Sequence, residues 1–385
     1  MRRRFYVEGQ LLVSNKIIID QSITNPLQRV SGDINGPIIQ WIRENSHRYL
    51  CKYSQSAGHM VICQLDDNNS NFYFDGQASV LTGVEGDVMM RLPVFYTKFT
   101  DISGGLSKVS IEFSLYQQDD SWVKWGGDDF IGVYEANYSN SLLRSISGVE
   151  SSGSISQANF YNYARMREAN RIMGPGYGFT LVKQRHQNIM GILYVAMYGN
   201  TNCQETIGYG TGTYTKPTGQ TDALGMTDTQ KGTNGNTMSI NFWGLENWWG
   251  NKYEWVDNVL VNPESVNSVF RITEDNGITR DVQSMSTRGS WVYPHKMVLG
   301  DNLDLIAAPG ESGGASNVGW SDGQYIGSST TCVVRRSVSY ADDYGGVACS
   351  DAHSASSGAN AGVGSRLAFK GAYSEAGSVS EFKDI

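Results

Sequence analysis

The side chains best suited to contacting another molecule gather near the carboxyl end: Trp320, Asp322, Tyr325, Tyr340, Asp342, Asp343, Tyr344, Ser350, Asp351 and His353. They sit among small residues, and 36 of the 51 residues from 312 to 362 are Ser, Gly, Ala, Asn, Asp or Tyr. No Leu, Phe, Met, Lys, Glu or Pro lies between Ser312 and Ser365, so the tract supplies little core. Tyrosine among Ser, Gly, Asn and Asp is the chemistry of a recognition surface. The ring offers a large amphipathic face at low entropy cost, and its small neighbours adapt their hydrogen bonds. Asp342, Asp343 and Asp351 also offer oxygens to calcium, but without the regular spacing of a calcium loop. His353 stands alone, better placed to contact a ligand than to catalyse.

Single apolar anchors interrupt the tract: Trp320, Ile326, Val333, Val334, Val338 and Val347. A Gly-Ser linker lacks such anchors. Leu367-Ala368-Phe369 then returns the chain to the core.

The whole sequence sets the frame. It has 385 residues, a net charge of −8 and 44 glycines. That charge argues against a general nucleic-acid binder, which needs a basic footprint. Trp (9) and Tyr (21) are too abundant for a disordered chain. No apolar run reaches the ~18 residues of a membrane span, so no membrane insertion is expected. The start, Met-Arg-Arg-Arg-Phe-Tyr-Val-Glu, lacks the apolar region of a secretory signal. Cys51, Cys63, Cys203, Cys332 and Cys349 are scattered, with no C-x-x-C, and read as free, packed thiols.

Elements that would position the tract follow from periodicity. Leu11-Leu12-Val13 and Ile17-Ile18-Ile19 predict a hairpin. Gly36-Pro37 opens a helix predicted over 36–53, and His59 to Gln64 predicts a strand. Val88 to Phe99 predicts one long strand, with an edge or bulge at Pro93. Val109–Tyr116 and Phe130–Tyr134 predict two more. Ser156 caps a helix over 156–171 that stops at Gly174-Pro175-Gly176. A second helix is predicted over 180–198, with Thr180 as its cap. These imply a small α+β unit over 1–85, for attachment or oligomerisation, and a larger domain over 86–385.

The densest signal is Asn241-Phe242-Trp243-Gly244-Leu245-Glu246-Asn247-Trp248-Trp249-Gly250-Asn251-Lys252-Tyr253-Glu254-Trp255-Val256-Asp257. Large aromatics bury ~150–250 Å² each, so this stretch should be the packing centre. It resembles the W-G-N-V-W-E-W motif of the formylglycine-generating-enzyme-like branch of the C-type lectin fold. Ser312-Gly313-Gly314-Ala315-Ser316, Val333-Val334-Arg335-Arg336-Ser337 and Val363-Gly364-Ser365-Arg366-Leu367-Ala368-Phe369 are similar to that branch's later motifs. Arg288-Gly289-Ser290-Trp291 matches the first of these better locally but sits early. Asp87-Val88-Met89-Met90-Arg91-Leu92-Pro93-Val94-Phe95-Tyr96 and 143–149 resemble segments of phage tail-fibre proteins.

Together these resemble variable proteins diversified by retroelements. The resemblance implies an α+β, C-type lectin-like domain with two helices and twisted antiparallel strands over about 83–371, and a variable region over about 312–366. Adenine mutagenesis of A-A-Y codons yields Asn, Tyr, Ser, Asp, His, Gly, Ala and Cys, which fits the tract. Gln324 falls outside that set and reads as a fixed position. The implied function is binding of a host-cell surface protein or glycan. The implied setting is a phage or prophage tail fibre, in the virion or in the cytoplasm before assembly, with a homotrimer and no cofactor. Arg366 reads as a structural arginine bonded to a carboxylate such as Glu254. Two alternatives remain. One is a copper-holding oxidase of the formylglycine-generating type, for which Cys332 and Cys349 are too far apart in sequence. The other is a bacterial surface adhesin or structural tail protein without a diversified site.

Overall fold

A computed structural model of the chain describes residues 5–7, 10–12, 14–105, 107–168, 177–231, 238–263, 268–284, 288–298, 308–327, 331–337 and 343–385. Among them are 28 strands against five α-helices: α1 (Pro37–Glu44), α2 (Gln157–Arg165), α3 (Gln184–Tyr198), α4 (Cys203–Thr206) and α5 (Val379–Asp384). The architecture is therefore mostly β. This corrects the α+β expectation of a two-helix domain behind a small α+β unit.

The correction has local causes. The helix from Pro37 ends at Glu44, and His47–Ser54 is instead a strand. Its sheet neighbours on either side are His59–Gln64 and Asp87–Arg91, and the pairing outweighs helical spacing at Tyr49 and Leu50. Arg48 is buried on that strand, bonding Gly244 O at 2.8 Å and Asn241 Oδ1 at 2.9 Å. Thr180 is not a helix cap. It lies on the Gly178–Leu181 strand, and Lys183 occupies the N-cap position of α3. Ser156 does cap α2, accepting from Asn159 N at 3.3 Å. The expected stop at 174–176 lies outside the described residues.

The segment 88–99 is two strands, Asp87–Arg91 and Phe95–Asp101, and Pro93 marks the break between two different sheets. The expected first hairpin does not form. Gln10–Leu12 pairs with Phe5–Val7, whereas Asn15–Asp20 lies between Val30–Gly32 and Lys108–Ser114; Val13 lies outside the described residues.

Three large sheets organise the chain. Five strands run in the order Val123–Trp125, Phe95–Asp101, Lys108–Ser114, Asn15–Asp20, Val30–Gly32. Seven run Gly178–Leu181, Leu367–Lys370, Asp129–Gly132, Asp87–Arg91, His47–Ser54, His59–Gln64, Tyr373–Glu375. The boundary expected at 85/86 thus passes between paired neighbours of one sheet. The third sheet runs Thr279–Gln283, Ser268–Thr273, Tyr253–Pro263, Cys332–Arg336, Ser350–Ser354, Gln324–Ile326, Trp291–Val292, with Val363–Gly364 joining Tyr253–Pro263 in parallel.

The Trp-rich segment is the packing centre its composition predicts. Trp243, Trp248, Trp249 and Trp255 are all buried. Beneath them Arg366 and Glu254 form a wholly buried ion pair, with Nη2 to Oε1 at 2.6 Å and Nε to Oε1 at 2.9 Å. The same guanidinium donates to the carbonyls of Gly132, Val133, Glu246 and Asn247. This is the structural role expected of Arg366. A buried charge pair needs such saturation, because desolvation otherwise exceeds the Coulombic gain.

Candidate functional site: an aromatic strip on the third sheet

Strand alternation splits the tract into two faces. Across the third sheet one register row reads Val292, Gln324, Ser350, Arg336, Glu254. The adjacent row reads Trp291, Tyr325, Asp351, Arg335, Trp255.

The first row belongs largely to the scaffold. Gln324 is buried, donating from Nε2 to Ala348 O and accepting from Ser350 Oγ. Arg336 is buried and donates to Gln184 Oε1 at 2.6 Å.

The second row begins an open strip of rings. Tyr344 stacks on Trp291 (centroids 4.8 Å, 18°) and on Tyr293 (5.0 Å, 24°). Trp291 meets Tyr325 at 5.7 Å, and Tyr325 meets His353 edge-on at 5.4 Å. The four large rings are half-buried and His353 is exposed. Gly323 makes the strip possible. It lies against the Tyr344 ring so closely that a Cβ there would collide with it. Each stacked pair contributes about 0.5–1.5 kcal/mol beyond area burial, so the rings hold one another in place.

A charged cluster ends the strip. Arg335 Nη2 donates to Asp351 Oδ2 at 2.6 Å, and its guanidinium lies over Tyr253 at 4.7 Å. His353 Nδ1 is 2.8 Å from Arg335 Nη2 and 2.9 Å from Asp351 Oδ1. That nitrogen either accepts from the arginine or donates to the carboxylate, and its tautomer decides which. A surface of this kind offers flat apolar area with phenol and imidazole groups; Arg335 is buried with Asp351 and acts beneath it, holding His353 in place.

The predicted site residues divide accordingly. Tyr325, Tyr344 and His353 come together on the strip, and Asp343 is exposed beside Tyr344. Trp320, Asp322 and Ser350 are interior and are withdrawn as ligand contacts. Trp320 has joined the core, with its indole nitrogen 3.3 Å from Gln21 Oε1. Asp322 pins the loop beneath Tyr344, accepting from Ala348 N at 2.8 Å. Ser350 faces the scaffold row. Asp351 is also buried and contributes only by orienting Arg335 and His353, which argues against its use for calcium. Tyr340 and Asp342 lie outside the described residues.

Sequence reasoning missed Trp291, Tyr293 and Arg335. The alternation Trp291-Val292-Tyr293 is a strand signal, masked by the match of Arg288-Gly289-Ser290-Trp291 to the family motif. Arg335 could be found only from the register.

Cys332 and Cys349 occupy opposite ends of the Cys332–Arg336 strand, Cys349 Sγ reaching Ser337 O at 3.1 Å. At about 3.3 Å per residue they are on the order of 15 Å apart and do not share an ion. Among the described residues no three His, Cys, Asp or Glu groups converge to hold a metal. No helix among them is long and apolar enough to cross a membrane.

Neither a protein-family model nor a curated protein matches this chain.

Proposed function

We propose that this protein is a binding module whose aromatic strip docks a host-cell surface protein or glycan. The observation that carries the proposal is the continuous run of ring contacts through Tyr293, Tyr344, Trp291, Tyr325 and His353, four half-buried rings ending in an exposed imidazole, on a face whose reverse side is scaffold. Rings already held in place lose little freedom on binding, which favours affinity. The strip's composition is that of a paratope, with Tyr and Trp as anchors.

Diversification by a retroelement remains part of the proposal. Tyr325, Tyr344 and His353 fall within 312–366 and belong to the residue set accessible from A-A-Y codons. Trp291 and Tyr293 fall outside it and act as fixed anchors. The buried Gln324 suits a fixed scaffold position. A phage or prophage tail fibre is the proposed setting, where display of several copies, as in a trimer, adds avidity to weak single contacts.

The test is binding of the full chain to intact candidate host cells. Tyr325→Ala and His353→Ala should each reduce cell binding about tenfold or more, equivalent to ~1.4 kcal/mol, while the thermal transition moves only slightly. Full binding by both variants refutes the strip. A reverse-transcriptase gene beside this one, with a template copy of codons 312–365, tests diversification separately.

A further inference from the structure

A cleft of about 550 Å³ opens on the same face of the third sheet, away from the strip. Its volume falls within the roughly 300–1,000 Å³ of small-molecule sites. A bulge builds it. Trp255 pairs with Arg335, yet Leu260 pairs with Val333, so the Tyr253–Pro263 strand bows outward between them. The bow places Asp257 and Asn258 in the cleft opposite Tyr161 and Arg165 of α2, with Tyr177 alongside. Bulges commonly re-aim side chains beside functional sites.

The polar groups are already fixed. Asn258 Oδ1 accepts from Gln184 N at 2.8 Å, and its Nδ2 donates to Thr273 O at 2.9 Å. Asp257 Oδ2 accepts from Thr180 Oγ1 at 2.6 Å.

Most charges lining the cleft are cancelled. Asp275 is held by Lys183 at 2.7 Å and Lys370 at 2.6 Å, and Glu274 by Arg280 at 2.7 Å. Arg165 faces Glu168 at 3.8 Å. Asp257 has no ion-pair partner within 4.0 Å among the described residues, and burial raises its carboxyl above the ordinary range. Tyr161 and Tyr177 present exposed rings.

We propose that this cleft binds a neutral saccharide, with ring faces against Tyr161 and Tyr177 and a sugar hydroxyl donating to Asp257. An anionic ligand would find the cations engaged and Asp257 repelling it. A purely apolar ligand would desolvate Asp257 without giving it a donor, which costs free energy. A sugar supplies both a C–H face and hydroxyl donors. The inference is independent of the strip.

Saturation-transfer NMR on the full chain, with galactose, N-acetylglucosamine, mannose and lactose as probes and sialyllactose as the anionic comparison, tests it. At least one neutral probe should bind. Tyr161→Ala and Asp257→Asn should weaken that probe tenfold or more, and Tyr344→Ala should leave it unchanged. Tyr161 is exposed, so its variant tests the site without threatening the fold. Absence of binding by every neutral probe, preference for sialyllactose, or loss in Tyr344→Ala with retention in Tyr161→Ala would each overturn the proposal.

Discussion

Asp322 offers the sharpest test of how the interior supports the strip. Its carboxyl is fully buried, and burial pushes it up to about 7 from an ordinary value of 3.8; the Ala348 N–H, 2.8 Å away, and the Cys203 thiol oppose that rise only in part. A carboxyl whose pKa is raised by folding binds its proton more tightly in the folded state. Its contribution to stability is therefore full below the unfolded pKa and falls away as pH rises through the folded one. With those two values, the wild-type chain should lose roughly 3–4 kcal/mol from this group between pH 4 and pH 8. Asp322→Asn is neutral at every pH. Its amide oxygen can still accept from Ala348 N, and its amide nitrogen can face the Cys203 sulfur. The variant should match wild type near pH 4 and exceed it near pH 8 by about that amount. Glu246 and Glu254, also raised to about 7, remain in both proteins, so the difference between the two stability profiles isolates Asp322. Urea unfolding across this range provides the measurement. Parallel profiles would refute the reasoning, since they would mean that the carboxylate is accommodated in the interior without penalty.

Other consequences concern the framework and the strip. Gly323→Ala should push the Tyr344 ring off its stack, costing about 1–3 kcal/mol by overpacking, with a weakened near-ultraviolet circular dichroism signal and weaker cell binding; an unchanged spectrum would count against the stack. Arg366→Ala should cost about 3–5 kcal/mol in denaturant unfolding, because Glu254 and four carbonyls lose their partner. Arg366→Lys should rescue little of it, since one ammonium cannot reproduce the fork of contacts. Tyr325→Ala should leave stability within about 1.5 kcal/mol of wild type, as judged by calorimetry, even as cell binding falls.

Much of the framework was legible in the residues. The Trp-rich segment had to be buried, because its rings carry too much apolar surface to leave in water. Ser156 announced a helix start, and His59 to Gln64 announced a strand. Arg366 could be paired with Glu254 in advance, since an arginine in a core strand needs a carboxylate. Composition alone singled out Tyr325, Tyr344 and His353, which the structure brings together on one strip. Composition could not separate them from Trp320, Asp322 and Ser350. All six have suitable side chains, but only strand alternation and pairing register decide which face outward, and register is a property of the partner strands. The same limit explains the segment from His47. Its local spacing suits a helix, but neighbours distant in the chain offered it two sheet partners, and that pairing won. The sequence by itself determined which side chains could recognise a ligand and which must be buried; tertiary structure decided which of them share a surface, because a sheet assembles its face from strands far apart in the chain.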